Sequence, residues 1–252
     1  MNFKTKDKDF LNEVMESNRI ILEMKLLGNP FFYEPLRTSK DEVLGRSGLQ
    51  KMLDEDYYRL HLLKKQKPLI LDIGSHIGIF PRVIKKLIPN AEIHSVEPDP
   101  ENFRLLKLNN DILQDTFSYQ FGIFANESNQ VLKGSNFNSW RSTLNINSSF
   151  FREDIIGKDP FTFNEYNVKC VTVEKLVAGY SIGKVDFIGI TVPGEIAISI
   201  LQGAREILIR DTPIISIFLY PKEIEQVEKF FASLGFSQFE EPRRSMYTFI
   251  KI

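Results

Sequence analysis

From Pro68 onward the apolar residues come in short runs that alternate with amphipathic stretches. Leu69 to Ile73 is a brief apolar run closing on Asp-x-Gly, the pattern of a strand buried on both faces of a parallel sheet. A helix is expected from Phe80 to Leu87, broken by Pro89-Asn90, then a strand from Glu92 to Glu97 and a helix from Glu101 to Asn109. A third strand is expected over Phe117 to Phe121, and a fourth over Asp186 to Val192 with a helix from Ile196 to Ile209. A fifth follows over Pro213 to Leu219 with a helix from Glu223 to Leu234, and Phe236–Phe239 and Tyr247–Ile252 close the pattern as an antiparallel pair. Repeated strand–helix units predict an α/β fold, a mostly parallel sheet covered by helices on both faces with an antiparallel hairpin at its C-terminal end.

The N-terminal quarter reads differently. Phe10, Leu11, Val14, Met15, Ile20, Ile21, Met24 and Leu27 recur at helical spacing, and Gly28, Asn29 and Pro30 would stop that helix. Leu49, Met52, Leu53, Tyr57, Leu60 and Leu63 mark a second amphipathic stretch. The expected organisation is therefore a helical extension over residues 1–66, serving as a cap or pairing two copies in a homodimer, and a main domain over 67–252. Gly134 to Asn167, rich in Asn and Ser, reads as a loop-like insertion on the substrate side (134–167).

Composition narrows the function. A net charge of -1 supplies no general basic field for nucleic acid, so no such partner is expected. The single cysteine, Cys170, permits no internal disulfide and reads as a packed side chain in the run NVKCVTV. His61, His76 and His94 lack metal-ligand spacing, so no metal is expected. The N-terminus shows no apolar leader and no stretch approaches ~20 apolar residues, so a cytoplasmic location without a membrane segment is expected.

Ligands of open parallel sheets sit at the carboxyl ends of strands, near the point where strand order reverses. The segment DIGSHIGIF, Asp72 to Phe80, falls there, with Gly74 and Gly78 allowing sharp turns off the strand and into the helix. Its Gly-x-x-x-Gly spacing lacks the third glycine of a dinucleotide fingerprint, which argues against a nicotinamide-dependent oxidoreductase. Glu97 closes the next strand 25 residues after Asp72, where a carboxylate can accept hydrogen bonds from ribose hydroxyls.

LILDIGSHIGIF, SVEPDPENFRLLKLNN, VTVEKL and VDFIGITVPGEIAISILQGAREIL together resemble the FkbM-type methyltransferase family, in order and spacing, from about Leu69 to the C-terminus. The resemblance implies a Rossmann-like class I methyltransferase sheet, S-adenosylmethionine as cofactor, and transfer to a hydroxyl of a small molecule, sugar or glycan. Matching positions place Asp72, Gly74, Ser75, His76, Gly78, Glu97, Pro98, Asp99, Gly122 and Ile123 in the cofactor pocket, with Tyr119 and Phe121 as a further stacking face or as core. The family's K-I-D-V-E-G-x-E is rewritten here: Gly189, Thr191, Pro193 and Ile196 stand where a lysine and three acids are usual. An acceptor site stripped of its acids leaves Glu195, one position displaced, and His76 as candidate proton acceptors. It also motivates the alternative of a cofactor-binding module without methyl transfer. Trp140 and Arg141 could stack on a sugar or grip an anion, or anchor the insertion, and Tyr220 with Lys222 could orient an acceptor.

Overall fold

The first described elements overturn the helix expected to reach Leu27. The computed structural model describes residues 21–35, 37–38, 43, 49, 53, 56–135, 144, 163–192, 196–242 and 245–251. In it, Leu22–Leu26 forms strand β1 and Asn29–Tyr33 strand β2, paired antiparallel with Leu22 opposite Tyr33 and Leu26 opposite Asn29. Leu27 (φ 51°) and Gly28 (φ 91°) make the two-residue turn with positive φ at both positions that suits hairpin twist, so the supposed helix stop is a hairpin corner. Met24 and Leu26 point inward while Glu23 and Lys25 face out, a period of two, whereas the helical spacing rests on Met24 and Leu27. Residues 1–20 of that expected helix lie outside the described residues. The second one does not run through to Leu63: Tyr57 and Tyr58 lie in a turn, and Leu60–Leu62 is a single 3-10 turn.

The main domain follows the expected alternation. In chain order it comprises β3 (Leu69–Ile73), α1 (Ile79–Leu87), β4 (Glu92–Val96), α2 (Pro100–Asn110), β5 (Thr116–Tyr119), β6 (Gly122–Ile123), β7 (Ser128–Ser135) and β8 (Phe163–Val171). Then come α3 (Val173–Gly179), β9 (Phe187–Ile190), α4 (Ala197–Gln202), α5 (Arg205–Asp211), β10 (Ile214–Phe218), α6 (Ile224–Ser233), β11 (Phe236–Gln238) and β12 (Met246–Lys251). Seven strands form one sheet in the order β5-β4-β3-β9-β10-β12-β11, parallel from β5 to β10, with β12 antiparallel to both neighbours. Strand order reverses at β3, whose neighbours β4 and β9 lead away in opposite directions and open a crevice at their carboxyl ends.

Successive residues of β3 feed two cores, which is why it reads as a continuous apolar run. Leu69, Leu71 and Ile73 pack with Leu176, Leu201, Leu208, Val227 and Phe231 on one side. Ile70 packs with Val83, Ile84, Leu105 and the hairpin residues Leu26 and Phe31 on the other. The helix expected over Ile196–Ile209 is two helices, α4 and α5, broken where Gly203 passes the carbonyl of Phe124 too closely for a Cβ, which would sit 2.1 Å from that oxygen. The ends of the expected loop 134–167 are also strand: β7 and β8 pair antiparallel from Ser128–Cys170 to Ser135–Phe163, and β6 joins β8 in parallel. Leu132, Val168 and Cys170 supply the buried side of that second sheet, and the Asn- and Ser-rich run between the two strands lies outside the described residues apart from Leu144. Burial pushes the Cys170 thiol up to about 11, so it packs rather than reacts.

The hairpin is tied to the main domain by buried polar groups. Asn109, at the end of α2 and fully buried, accepts from the Phe32 N–H at 2.7 Å and donates to the carbonyls of Phe32 at 2.9 Å and Ile77 at 2.8 Å. Arg82 on α1 donates to the carbonyls of Pro30 at 2.9 Å and Asn109 at 3.1 Å and lies over the Phe31 ring at 5.8 Å. One amide thus satisfies the hairpin and the loop that starts α1. Asn109→Ala strands three buried backbone groups, each costing about 1 kcal/mol or more, so a loss of roughly 2–4 kcal/mol is expected. Thermal unfolding should show it as a fall in Tm of roughly 5–10 °C; a shift under a degree would remove Asn109 from this role.

Candidate functional site

Three strand ends meet at the crevice so closely that the chain there must be glycine. Gly74 (φ 82°) follows β3, and a Cβ on it would lie 2.3 Å from the carbonyl oxygen of Thr191, which follows β9. The N–H groups of Gly74 and Ser75 both donate to the Val96 carbonyl, at 3.0 and 3.1 Å, and the Thr191 N–H donates to Ile73 at 2.9 Å. The Ser75 hydroxyl donates back to the Asp72 carbonyl at 2.9 Å, and the Gly78 N–H to the Ser75 carbonyl at 2.9 Å.

Glu97 fixes the remaining side. One carboxylate oxygen accepts the His76 N–H at 2.8 Å and the other the Asp99 N–H at 2.9 Å, so His76 is held at φ 53°. Asp99 in turn caps α2, accepting from Glu101 and Asn102 N–H groups at 2.8 and 3.3 Å, and pairs with Arg37 at 3.1 Å with both side chains buried. Asp99 therefore serves the helix and the N-terminal segment. Pro98 is half-buried between the two acids.

The electrostatics follow from burial. Burial, then the charge of Asp99, pushes the Glu97 carboxyl up to about 8, with the two backbone N–H groups and the Asn102 side chain acting against the rise. Burial pushes Asp72 up to about 7, offset in part by the Ser75 and Ser95 hydroxyls. His76 goes the other way, down to about 3, through burial and then the charge of Arg37. An imidazole that weak is neutral throughout the physiological range and a poor general base, contrary to the role considered for it. Tyr58 sits in the same corner, its hydroxyl 3.3 Å from the Thr191 hydroxyl and its ring 4.3 Å from Phe80.

The structure thus brings Asp72, Gly74, Ser75, His76, Gly78, Glu97, Pro98 and Asp99 together. Gly122 and Ile123 form a short strand paired with Cys170 and Val171, and Ile123 packs in one core cluster with Val96 and Ile190. Tyr119 is likewise engaged, hydrogen-bonded to His94 at 2.8 Å and packed on Tyr180 at 4.4 Å. Tyr220 lies on the same edge as the loop, just past β10, its ring 5.3 Å from Phe218 and its N–H on Glu223 at 3.1 Å. Trp140, Arg141 and Glu195 lie outside the described residues. Sequence reasoning missed Arg37, Tyr58 and Glu223. Glu223 is a buried acid that also accepts the Ala197 N–H at 2.9 Å, and so holds the start of α4.

Glu97 accepts the His76 and Asp99 N–H groups and a hydrogen bond from the Asn102 side chain, and a carboxylate offers about four acceptor directions, so room remains for a ligand hydroxyl. Asp72, buried without a cationic partner among its influences, suits an ammonium group. The corner therefore fits an elongated ligand with a hydroxyl at one end and an amine at the other. Among the described residues no group of three or more His, Cys, Asp and Glu could hold a metal ion, and no described helix is long and apolar enough to cross a membrane.

The sequence model of the methyltransferase FkbM domain matches residues 72–244. A search of curated proteins returns no match. Among solved structures, the chain is similar to TYW2 from M. jannaschii in complex with AdoMet, at 11% identity, 93% of this chain and 88% of that one, and a TM-score of 0.45. It is also similar to Aeropyrum pernix fibrillarin with natively bound S-adenosyl-L-methionine (13% identity, 92% and 81% covered, TM-score 0.45). A third is precorrin-6y C5,15-methyltransferase from Geobacter metallireducens (10% identity, 76% and 82% covered, TM-score 0.42).

The His76 shift makes a signed prediction. Its pKa falls on folding, so the unfolded chain binds more protons between about pH 3 and 6.5, and this residue's contribution to stability drops as pH drops through that window. Asp72 and Glu97, raised on folding, have the opposite slope below about pH 7 to 8. His76→Asn, whose side chain tolerates positive φ, should gain stability over the parent as pH falls from 6.5 to 4.5. Paired thermal melts across that range check it; a constant difference would refute the buried neutral imidazole.

Proposed function

The chain belongs to the methyltransferase FkbM domain family, and from that premise we propose that it methylates a hydroxyl oxygen of a small molecule, sugar or glycan. The single observation that carries the reading is the Glu97 carboxylate, pinned at the end of β4 beside the glycine bend and still able to accept a ribose hydroxyl. Bound there, S-adenosylmethionine supplies an electrophilic methyl carbon on a sulfonium. Glu97 accepts a ribose hydroxyl and Asp72 the amino group. The Gly74–Gly78 backbone lets the ligand lie close against the strand ends.

Transfer asks little more than an in-line hydroxyl and somewhere for its proton to go. The O–C bond forms as the C–S bond breaks, and the hydroxyl proton passes to a base. Glu195 is the proposed acceptor of that proton. Asp72, near 7, is matched to neutral pH but is committed to the amino group. Trp140 and Arg141 are proposed to wall the acceptor, with Tyr220 on the facing strand end. Residues 1–66 are proposed as a cap over the site.

Calorimetric titration with S-adenosylhomocysteine tests the premise, and no heat at millimolar ligand would sink it. Glu97→Ala should weaken binding by about 10- to 100-fold, the worth of charge-assisted hydrogen bonds; unchanged affinity removes Glu97 from the ribose. Binding should also release protons near pH 7.5, because a ribose hydroxyl at Glu97 and an ammonium at Asp72 favour the charged carboxylates and lower pKa values now near 8 and 7. The same titration in two buffers of different ionisation enthalpy reads that release, and identical heats would contradict it. Screening hydroxylated acceptors for S-adenosylhomocysteine formation then tests transfer to oxygen.

A further inference from the structure

Tyr58 precedes the matched domain, yet it lies against that domain's crevice. Its hydroxyl meets the Thr191 hydroxyl at 3.3 Å, its ring lies 4.3 Å from Phe80 at the start of α1, and only 3% of it is exposed. Thr191 is the residue whose carbonyl crowds Gly74. β4, β3 and β9 are adjacent, so their ends form a row spaced about 4.8 Å apart, with Glu97 at one end, Asp72 and Gly74 in the middle and Thr191 at the other. A ligand with its hydroxyl on Glu97 and its amine near Asp72 therefore ends beside Thr191 and Tyr58.

We propose that Tyr58, through the hydroxyl pair it makes with Thr191, binds the amino-acid tail of the cofactor and makes the N-terminal segment a wall of the site. The inference rests on the adenosylmethionine reading above. A carboxyl-bearing tail needs donors, and the two hydroxyls share one proton between themselves and leave the other free to donate. Tyr58 keeps its proton: burial first, with the nearby Asp72 charge among the smaller causes, raises its pKa well above the ordinary phenol. The segment is anchored for this purpose at two further places, by Arg37 on Asp99 and by the Phe32 backbone on Asn109. Tyr58 is a binding residue here and takes no proton in the reaction.

Tyr58→Phe keeps the ring against Phe80 and removes only the hydroxyl. The probes are S-adenosylhomocysteine, which carries the tail, and 5′-methylthioadenosine, which lacks it, each titrated calorimetrically. Tyr58→Phe should weaken S-adenosylhomocysteine about tenfold and leave methylthioadenosine unchanged. Thr191→Val should do the same, and the double variant should be no weaker than either single, since the two hydroxyls act as one unit. Equal losses for both ligands, or none, overturn the proposal. Ligand-free thermal melts check that the variants fold, and Thr191→Val carries the comparison alone if Tyr58→Phe does not. If the unaltered protein binds neither probe, the adenosylmethionine reading itself fails and this inference with it; binding of both with no selective loss fails this inference only.

Discussion

The buried carboxylate of Glu97 is the constraint on which the rest of the site depends. It ends a strand, accepts one N–H from the glycine loop and one from the turn into α2, and so locks two βα junctions to each other. The Val96 carbonyl beside it takes two further N–H groups from the same loop. A side chain on Gly74 would meet backbone at 2.3 Å, so only glycine lets the loop lie this close to β9. Position, hydrogen bonding and packing therefore all specify one loop shape.

That arrangement stores unfavourable electrostatics. Asp72 and Glu97 are held where burial favours their protonated forms, and His76 where burial favours its neutral form. Arg37, the buried cation of the corner, is spent on Asp99, not on either of them. Carboxyls that have lost water without gaining a cation are poised to gain from a ligand that brings donors and positive charge. The site is therefore better described as preorganised for binding than as equipped for proton transfer. This is the same division the rewritten 189–196 segment suggests from the other side.

How far the sequence could be read depended on whether a signal was local. The inner parallel strands β3, β9 and β10 were legible because they are buried on both faces and become apolar runs, and observed strand ends fall within about two residues of expectation. Asp72, Gly74 and Glu97 were legible because glycine spacing and a strand-end acid are contiguous patterns. The β1–β2 hairpin was not, since Ile20, Ile21, Met24 and Leu27 recur at helical spacing while the buried pair is Met24 and Leu26, a period of two. β7 and β8 were hidden by a polar composition whose hydrogen bonds come from strands some thirty residues apart. Tyr58 and Arg37 carry no local signal at all: their partners Thr191 and Asp99 are 133 and 62 residues away.

Those distant partners tie the N-terminal segment to the strand-end corner through polar as well as apolar contacts. A purely structural extension would dock through apolar contacts, and Met24, Leu26 and Phe31 do that. Arg37 and Tyr58 are different, because each brings a polar group into a corner where polar groups are already costly to bury. Evolution of stability alone would favour apolar side chains of similar volume at both positions. Their placement against Asp99 and Thr191, on either side of the glycine bend, is instead what a wall needs if it must recognise a polar ligand as well as exclude water.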